Sequence, residues 1–329
     1  MSAPLSVLDL ATVGKGETVG ESLHNSVALA QRAEKLGYRR VWYAEHHNMP
    51  SIASSATSVL IAHVAANTDA IRLGSGGVML PNHAPLTIAE QFGMLETLHP
   101  GRIDLGLGRA PGTDQNTTRA LRRDPQAADR FPQDVQELQG YLGEQSLVSG
   151  VNAVPGKGTG VPLYVLGSSL FGAKLAAALG LPYSVASHFS PDALEEAVAA
   201  YRSEFQPSQQ LAEPYVIAGV NVLAADTQEQ ARDYFQIVKR ARLKMMARSV
   251  RRLTDEEADE ILDSAQGRPV LQMVKYSAVG TGDEVADYLG WFARHADADE
   301  LIVAHQPPTL DTRLRSAELL AKAWGLDPA

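Results

Sequence analysis

The feature that most constrains the fold is a regular alternation of short apolar runs with longer segments of helical hydrophobic period. Eight runs have the length and composition of buried strands, and helical patterns separate nearly all of them. Strands joined through helices pair in parallel as βαβ units, and eight such units close naturally into a barrel. The sequence therefore predicts an α/β fold, a (β/α)8 TIM barrel, with strands at residues 5–10, 40–43, 71–76, 102–108, 161–166, 183–186, 215–224 and 300–304.

An open, doubly wound sheet is the alternative arrangement of the same elements. Its usual mark is G-x-G-x-x-G directly after the first strand, where the glycines let a dinucleotide approach the backbone. Gly14, Gly16 and Gly20 lie in that region with a different spacing, so the barrel is favoured. The 329 residues suit one barrel domain that spans residues 1–329. Residues 240–276 are long for one connection and predict a helical insertion on the barrel rim.

The sequence contains no cysteine. Disulfides, thiolate nucleophiles and cysteine-ligated metals are therefore excluded. Redox chemistry would therefore come from a bound organic cofactor or from a metal held without thiolates. The net charge of −9 argues against a nucleic-acid partner, and the basic stretch 239–252 is interpreted as a solvated helix face. No apolar run approaches about 18 residues and the first residues lack a signal-peptide pattern, so we expect no membrane partner and a cytoplasmic protein.

Two adjacent histidines follow the second predicted strand, at the end of the barrel where active sites lie. Neighbouring residues on a strand point to opposite faces, so only one of His46 and His47 is expected to enter the barrel mouth. We interpret that histidine as a polar site residue for hydrogen bonding or proton transfer. A structural histidine is the alternative. A metal ligand is disfavoured because no H-x-x-x-H or H-x-H companion lies nearby.

Further strand ends carry residues suited to a flat, phosphate-bearing ligand. Glycines at 74–77 would let a ring approach the backbone, although an ordinary glycine-rich turn has the same composition. Arg109 is positioned to hold an anion, or is a plain surface arginine. Ser168 and Ser169 open a helix whose free N–H groups attract phosphate, with a ligand-free serine cap as the alternative. Together with His188 after the sixth strand, these residues predict a site for a phosphorylated planar cofactor.

The run from residue 40 to residue 112 resembles the bacterial-luciferase-like flavin-dependent monooxygenases, in particular their single-chain members. The matching segments are VWYAEHH, IRLGSGGVMLPNHAPLTIAEQ and LHPGRIDLGLGRAPG. The segments VPLYVLGSSLFGAKLAAALGLPYSVASHF and VGTGDEV extend the likeness over most of the chain. The resemblance implies the luciferase-like (β/α)8 barrel with rim insertions. It also implies reduced FMN as the cofactor, or a deazaflavin in some members of the family.

The resemblance implies roles for individual residues and implies no metal. His46 stands where the family keeps a catalytic histidine beside the flavin. Ser75 and the pair Gly76-Gly77 stand beside the flavin ring, with a non-proline cis peptide expected between the two glycines. A one-residue shift leaves Gly172 as an alternative in the phosphate loop, and Gly108 replaces the reactive cysteine of luciferase α subunits, which argues against light emission. The positions matching the phosphate-holding residues are Arg109, Gly167, Ser168 and Ser169.

The resemblance implies an FMN-dependent monooxygenase that acts on paired donors with incorporation of molecular oxygen. We hypothesise that a separate flavin reductase supplies reduced FMN, and that dioxygen converts it to a C4a-hydroperoxide which oxygenates a small organic substrate. The alternatives are a deazaflavin-dependent hydride-transfer oxidoreductase, a non-catalytic flavin-binding protein and a metal-dependent hydrolase. The resemblance further implies a homodimer.

Overall fold

The strands of the protein form one parallel sheet. The computed structural model describes residues 2–124, 126–247 and 253–328. Nine strands lie within these ranges, and each pairs in parallel with its neighbours. They are β1 (Leu5–Asp9), β2 (Arg40–Tyr43), β3 (Arg72–Met79), β4 (Ile103–Gly108), β5 (Leu163–Gly167), β6 (Tyr183–Val185), β7 (Val216–Ala224), β8 (Ser277–Gly280) and β9 (Glu300–His305).

Helices follow the strands along the described part of the chain. Several begin at a local signal: Thr18, Thr281 and Thr309 each form a capping box with the third helical residue. None of the described helices has the length and apolar character needed to cross a bilayer. The helices are α1 (Val19–Lys35), α2 (Thr57–Ala65), α3 (Pro85–Leu98), α4 (Gln115–Ala120), α5 (Phe131–Leu142), α6 (Leu170–Leu179), α7 (Leu194–Glu204), α8 (Gln228–Ala247), α9 (Asp255–Leu262), α10 (Arg268–Met273), α11 (Gly282–His295) and α12 (Leu310–Trp324).

Eight of the strands close into a barrel. The hydrogen-bonded order is β1–β2–β3–β4–β5–β6–β7–β9, and β9 pairs back with β1 in the register Leu5↔Leu301. The pair between β6 and β7, with Tyr183 opposite Val216, completes the ring on the other side. The predicted (β/α)8 TIM barrel is therefore confirmed. The eighth predicted strand, at 300–304, corresponds to β9.

Strand β8 is a difference from the predicted set. It pairs with the C-terminal half of β7, where Asn221 is opposite Ser277 and Ala224 is opposite Gly280. Its four residues directly precede Thr281, the N-cap of α11. The capping pattern at Thr281 predicts the helix but gives no indication of the short strand before it. The predicted rim insertion at 240–276 corresponds to the end of α8 together with α9 and α10.

The barrel interior has a charged layer at its N-terminal end and an apolar layer above it. The buried Arg40 donates to Asp104 (Nη1–Oδ2 2.7 Å) and to Glu300 (Nη2–Oε2 3.1 Å). Trp42 joins the two layers, since its Nε1–H donates to Asp104 Oδ2 at 3.1 Å. These layers fill the lower barrel and leave the C-terminal mouth for a site. The apolar layer consists of Leu8, Trp42, Tyr164, Ile217, Ile302 and Ala304.

Candidate active site

The predicted site residues lie within or just after five consecutive strands, β2 to β6. Adjacent strands lie only about 4.8 Å apart, so the barrel brings the segments after these strands to one mouth. The segments that connect strands to helices at the mouth do not pack in the barrel core, so their side chains can form an active site. The side chains at this mouth therefore decide what the protein does.

His46 is partly buried and follows β2 by three residues. Its backbone N–H donates to the Ser54 carbonyl oxygen at 2.9 Å, and its Nδ1 is buried without a partner among the described residues. Burial lowers the pKa of His46 below its ordinary 6.5, an effect that Glu45 opposes and His47 reinforces. The imidazole is therefore neutral at pH 7 with an unused nitrogen, which suits proton transfer or hydrogen bonding to a ligand.

Glu45, which the sequence analysis did not single out, fixes the segments around His46. Its buried carboxylate accepts the Met79 N–H at 3.0 Å, and lies 2.8 Å from His47 Nε2 and 2.9 Å from His83 Nε2. Burial raises the pKa of Glu45, but hydrogen bonds, led by that of His83, outweigh burial and hold the pKa below 4.5. His47 is thereby bound to Glu45 and lines a cavity of about 270 Å³ next to α2 and α3. The two adjacent histidines thus have different environments.

The glycines of β3 are required by contacts within the protein. A Cβ on Gly76 would lie 2.9 Å from Leu8 Cδ1, and one on Gly77 would lie 2.7 Å from the Gly106 carbonyl oxygen. The peptide bond between Gly76 and Gly77 is cis, as the resemblance implies. Ser75 is fully buried and its hydroxyl donates to Gly106 O at 2.8 Å, which links β3 to β4. Any contact of Ser75 with a ligand would therefore come from its backbone.

Arg109 reaches from the end of β4 to the start of α6. Its guanidinium carbon lies 4.0 Å from the centre of the Phe171 ring, and its side chain is exposed. Ser169 occupies the N-cap position of α6 without making a side-chain cap hydrogen bond, and Ser168 directly precedes it. The first N–H groups of a helix have no intrahelical acceptors and form its positive dipole end. Arg109 beside this helix start makes a suitable phosphate site.

Gly167 and Gly172 pack closely in the same segment. A Cβ on Gly172 would lie 3.4 Å from the Gly167 Cα and 3.6 Å from Tyr183 Cε2. Gly172 is buried in the first turn of α6, whereas Ser168 is partly buried and Ser169 is exposed. The burial of Gly172 favours the two serines as the residues that would face a ligand.

His188 follows β6 and is buried, with 9% of its surface exposed. Its Nδ1 has no hydrogen-bond partner among the described residues. Burial, followed by the positive charges of Arg242 and His46, lowers the pKa of His188 to about 3. The ring is therefore neutral at pH 7. The sequence analysis predicted His188 at the mouth but not the approach of Arg242.

These features fit a phosphorylated flavin. The uncapped start of α6 and Arg109 suit its phosphate, while the side-chain-free backbone of Gly76-Gly77 suits a flat ring. His46 adds a neutral imidazole with a buried, unpartnered nitrogen. Within the described ranges, no group of three or more His, Asp or Glu side chains is arranged to hold a metal ion.

Comparison with known proteins identifies the family. The sequence model of the luciferase-like monooxygenases matches residues 4–298. A protein of Escherichia coli K12 named luciferase-like monooxygenase is 47% identical over 95% of this chain and 95% of its own. The N-acetyl-S-alkylcysteine monooxygenase of Bacillus subtilis strain 168 is 36% identical over 87% of both chains. The crystal structure of apo-MsnO8 matches with a TM-score of 0.90 and 36% identity, covering 100% of both chains. The chain therefore belongs to the luciferase-like monooxygenase family.

Proposed function

We propose that this protein is a flavin-dependent monooxygenase that uses reduced FMN and dioxygen to oxygenate a small organic substrate. The chief support is that Arg109 lies beside the uncapped start of α6, on the same barrel mouth as the neutral, unpartnered imidazole of His46. Family membership supports oxygenation as the reaction type.

The phosphate of FMN would bind at the start of α6. The Arg109 guanidinium would give charge-assisted hydrogen bonds, and the Phe171 ring below it restricts the orientations that it can adopt. The backbone N–H groups and hydroxyls that follow β5 would complete the phosphate site. The residues proposed for this role are Arg109, Gly167, Ser168 and Ser169.

The flavin ring would lie along the backbone of Ser75, Gly76 and Gly77. Reduced FMN, when bound, supplies the electrons and the carbon at which dioxygen reacts. The apolar layer that includes Leu8 and Trp42 lies directly below this backbone, since both residues contact the position of a Gly76 Cβ. An apolar floor of this kind would help to exclude water and so to protect reactive intermediates from hydrolysis and proton leakage.

His46 would transfer the proton that the reaction needs. Because its pKa lies below 6.5, the imidazole is neutral at pH 7 and its free nitrogen can accept a proton from a bound reactant. Its backbone hydrogen bond to Ser54 and the neighbouring Glu45 contacts restrict the segment that carries it. A fixed donor or acceptor contributes more than a mobile one, since less ordering is needed on reaction.

The remaining parts of the proposal follow the resemblance. A separate flavin reductase would supply reduced FMN, and the chain would act in the cytoplasm as a homodimer of single-domain subunits, residues 1–329. The Bacillus subtilis relative named N-acetyl-S-alkylcysteine monooxygenase makes N-acetylated thioether amino acids the first substrates to test.

The proposed function is tested by supplying reduced FMN and ¹⁸O₂ to the purified protein with N-acetyl-S-methylcysteine and related thioethers. We expect tight binding of reduced FMN, slower release of hydrogen peroxide than from free reduced FMN, and one ¹⁸O atom in the product. Failure to bind FMN, or flavin reoxidation at the rate seen in buffer, would contradict the proposal. Reduction of a deazaflavin without oxygen uptake would instead support the hydride-transfer alternative.

A further inference from the structure

Arg242 lies on the face of α8 that packs against the barrel. Residues four, seven and eleven positions apart share a helix face, and Ala231 and Val238, which precede Arg242 by eleven and four residues, are buried. Arg240 and Lys244 instead form ion pairs with aspartates of α9. Two residues along a helix correspond to a rotation of about 200°, so Arg242 points away from α9. The interpretation of 239–252 as a solvated helix face is therefore wrong for Arg242. Residues 248–252 of that stretch lie outside the described residues.

The Arg242 side chain has no acidic partner in the described parts of the chain. Its Nε is buried without a hydrogen bond, and burial lowers the pKa of the guanidinium with no carboxylate to oppose the effect. Burying an unpaired charge costs stability, so such a group is retained where a ligand completes it. By contrast, the neighbouring Arg240 is satisfied by an aspartate of α9.

His188 borders the same position. Gly219 on β7 leaves room for its ring, because a Cβ there would lie 2.4 Å from His188 Nδ1. The Asn221 side-chain amide donates to the His188 carbonyl oxygen at 2.6 Å and fixes this segment against β7. Arg242 belongs to α8, which packs on β7, the strand to which Asn221 fixes His188. The Arg242 Nε and the His188 Nδ1 are both buried without a partner among the described residues, and the positive charge of Arg242 helps to lower the pKa of His188.

We propose that Arg242, with His188 beside it, forms a second anion subsite that binds the acid group of the organic substrate. The subsite would take a carboxylate or sulfonate, because a guanidinium pairs best with a planar or multi-oxygen anion. The substrate of the proposed monooxygenase is thus an organic acid, held at one end by Arg242 with its reacting atom towards His46. Oxygenation of the bound acid rests on the proposed function, whereas binding of the acid at Arg242 does not.

The phosphate of FMN is the other anion that Arg242 could bind. Arg109 and the start of α6 already provide a phosphate site after β4 and β5, whereas Arg242 approaches His188 after β6. Substitution separates the two sources of the anion. If Arg242 held the phosphate, Arg242→Gln would weaken the binding of FMN and leave that of riboflavin unchanged. We expect Arg242→Gln to leave both affinities unchanged within about twofold.

The subsite is tested by titrating the protein with small acids and their uncharged amides. The probes are acetate, hexanoate and benzoate, each compared with its primary amide by calorimetry and by the absorbance of bound oxidised FMN. We expect at least one acid to bind about tenfold or more tightly than its amide, as suits a charge-assisted pair. In Arg242→Gln this preference should disappear. The same titrations on FMN-free protein show whether the subsite binds acids, even if FMN does not bind.

Arg232→Gln is the matched control, because it removes an exposed arginine from the same helix. It should keep the preference for the acid. The subsite is refuted if the wild-type protein binds no acid better than its amide, or if Arg242→Gln retains the preference. A thermal melt adds an independent readout: removal of an unpaired, partly buried charge should leave the Tm unchanged or raise it. A marked fall in Tm for Arg242→Gln would assign the residue to structure instead.

Discussion

His46 combines a buried, unpartnered nitrogen with a pKa below 6.5. If it transfers the proton of the reaction, His46→Asn should lower reduced-FMN-dependent turnover by about 10²–10⁴-fold. The wild-type turnover should decrease as the pH falls through the pKa of His46, at a lower pH than for an ordinary histidine, because burial lowers that pKa. Stopped-flow turnover across pH 5.5–8, with FMN affinity measured in parallel, checks both parts.

His47→Asn provides the neighbouring comparison for that experiment. His47 is bound to Glu45 Oε1 at 2.8 Å, so its loss should affect stability more than the pH profile. Equal pH profiles for wild type and His46→Asn, at reduced turnover, would show that His46 acts on structure and not on the proton.

Glu45 shows what the sequence could not reveal at the level of single side chains. The pair of histidines was visible, but the carboxylate that separates their roles was not. Its partners, Met79 and His83, come from the next strand and the segment after it, so their convergence depends on the pairing of β2 with β3. Ser75 was recognised as a site residue, whereas the engagement of its hydroxyl with Gly106 required the β4 backbone to be in position.

Among the elements, the strands that form the barrel were predicted because hydrophobic period and helix caps are local properties. β3 extends to Met79, beyond its predicted end at 76, because its register with β4 shifts between Ser75 and Val78 and then resumes. The basic stretch 239–252, which begins within α8, is predicted from the sequence as a solvated helix face, since composition does not show which arginine faces α9. Only the packing of α8 on β7 and β8 distinguishes Arg242 from its neighbours.

The start of α6 gives a prediction about cofactor binding. Arg109→Gln should weaken FMN binding by about tenfold to a hundredfold, because it removes a charged partner of the phosphate. Riboflavin, which lacks the phosphate, should bind both proteins with equal affinity. Fluorescence titration of the two flavins measures the difference. Ser169→Ala should have a smaller effect of the same kind, and a parallel loss of riboflavin binding would place the defect in the ring site.

The barrel as a whole separates stability from chemistry along its axis. At its N-terminal end, Arg40 is fully buried between Asp104 and Glu300, and these carboxylates, which act against the effect of burial, raise its pKa above its ordinary value. Arg72 and Tyr164 add further contacts to Asp104. At the opposite end, His46, His188 and Arg242 have buried polar atoms without partners. Charges paired with opposite charges at one end, and polar groups without such partners at the other, are expected of a scaffold that supports a ligand site.

This division predicts opposite effects of substitution at the two ends. Arg40→Met should lower the free energy of unfolding by about 3–5 kcal/mol, because it removes the buried cation that pairs with both Asp104 and Glu300. Arg39 is the neighbouring arginine and its side chain is exposed. Arg39→Met should lower the free energy of unfolding by less than about 1 kcal/mol. Urea denaturation measures both. The folded fraction of Arg40→Met should bind FMN with wild-type affinity, since Arg40 and the mouth are separated by the apolar layer. A weakened FMN affinity in folded Arg40→Met would show instead that the charged layer determines the geometry of the mouth.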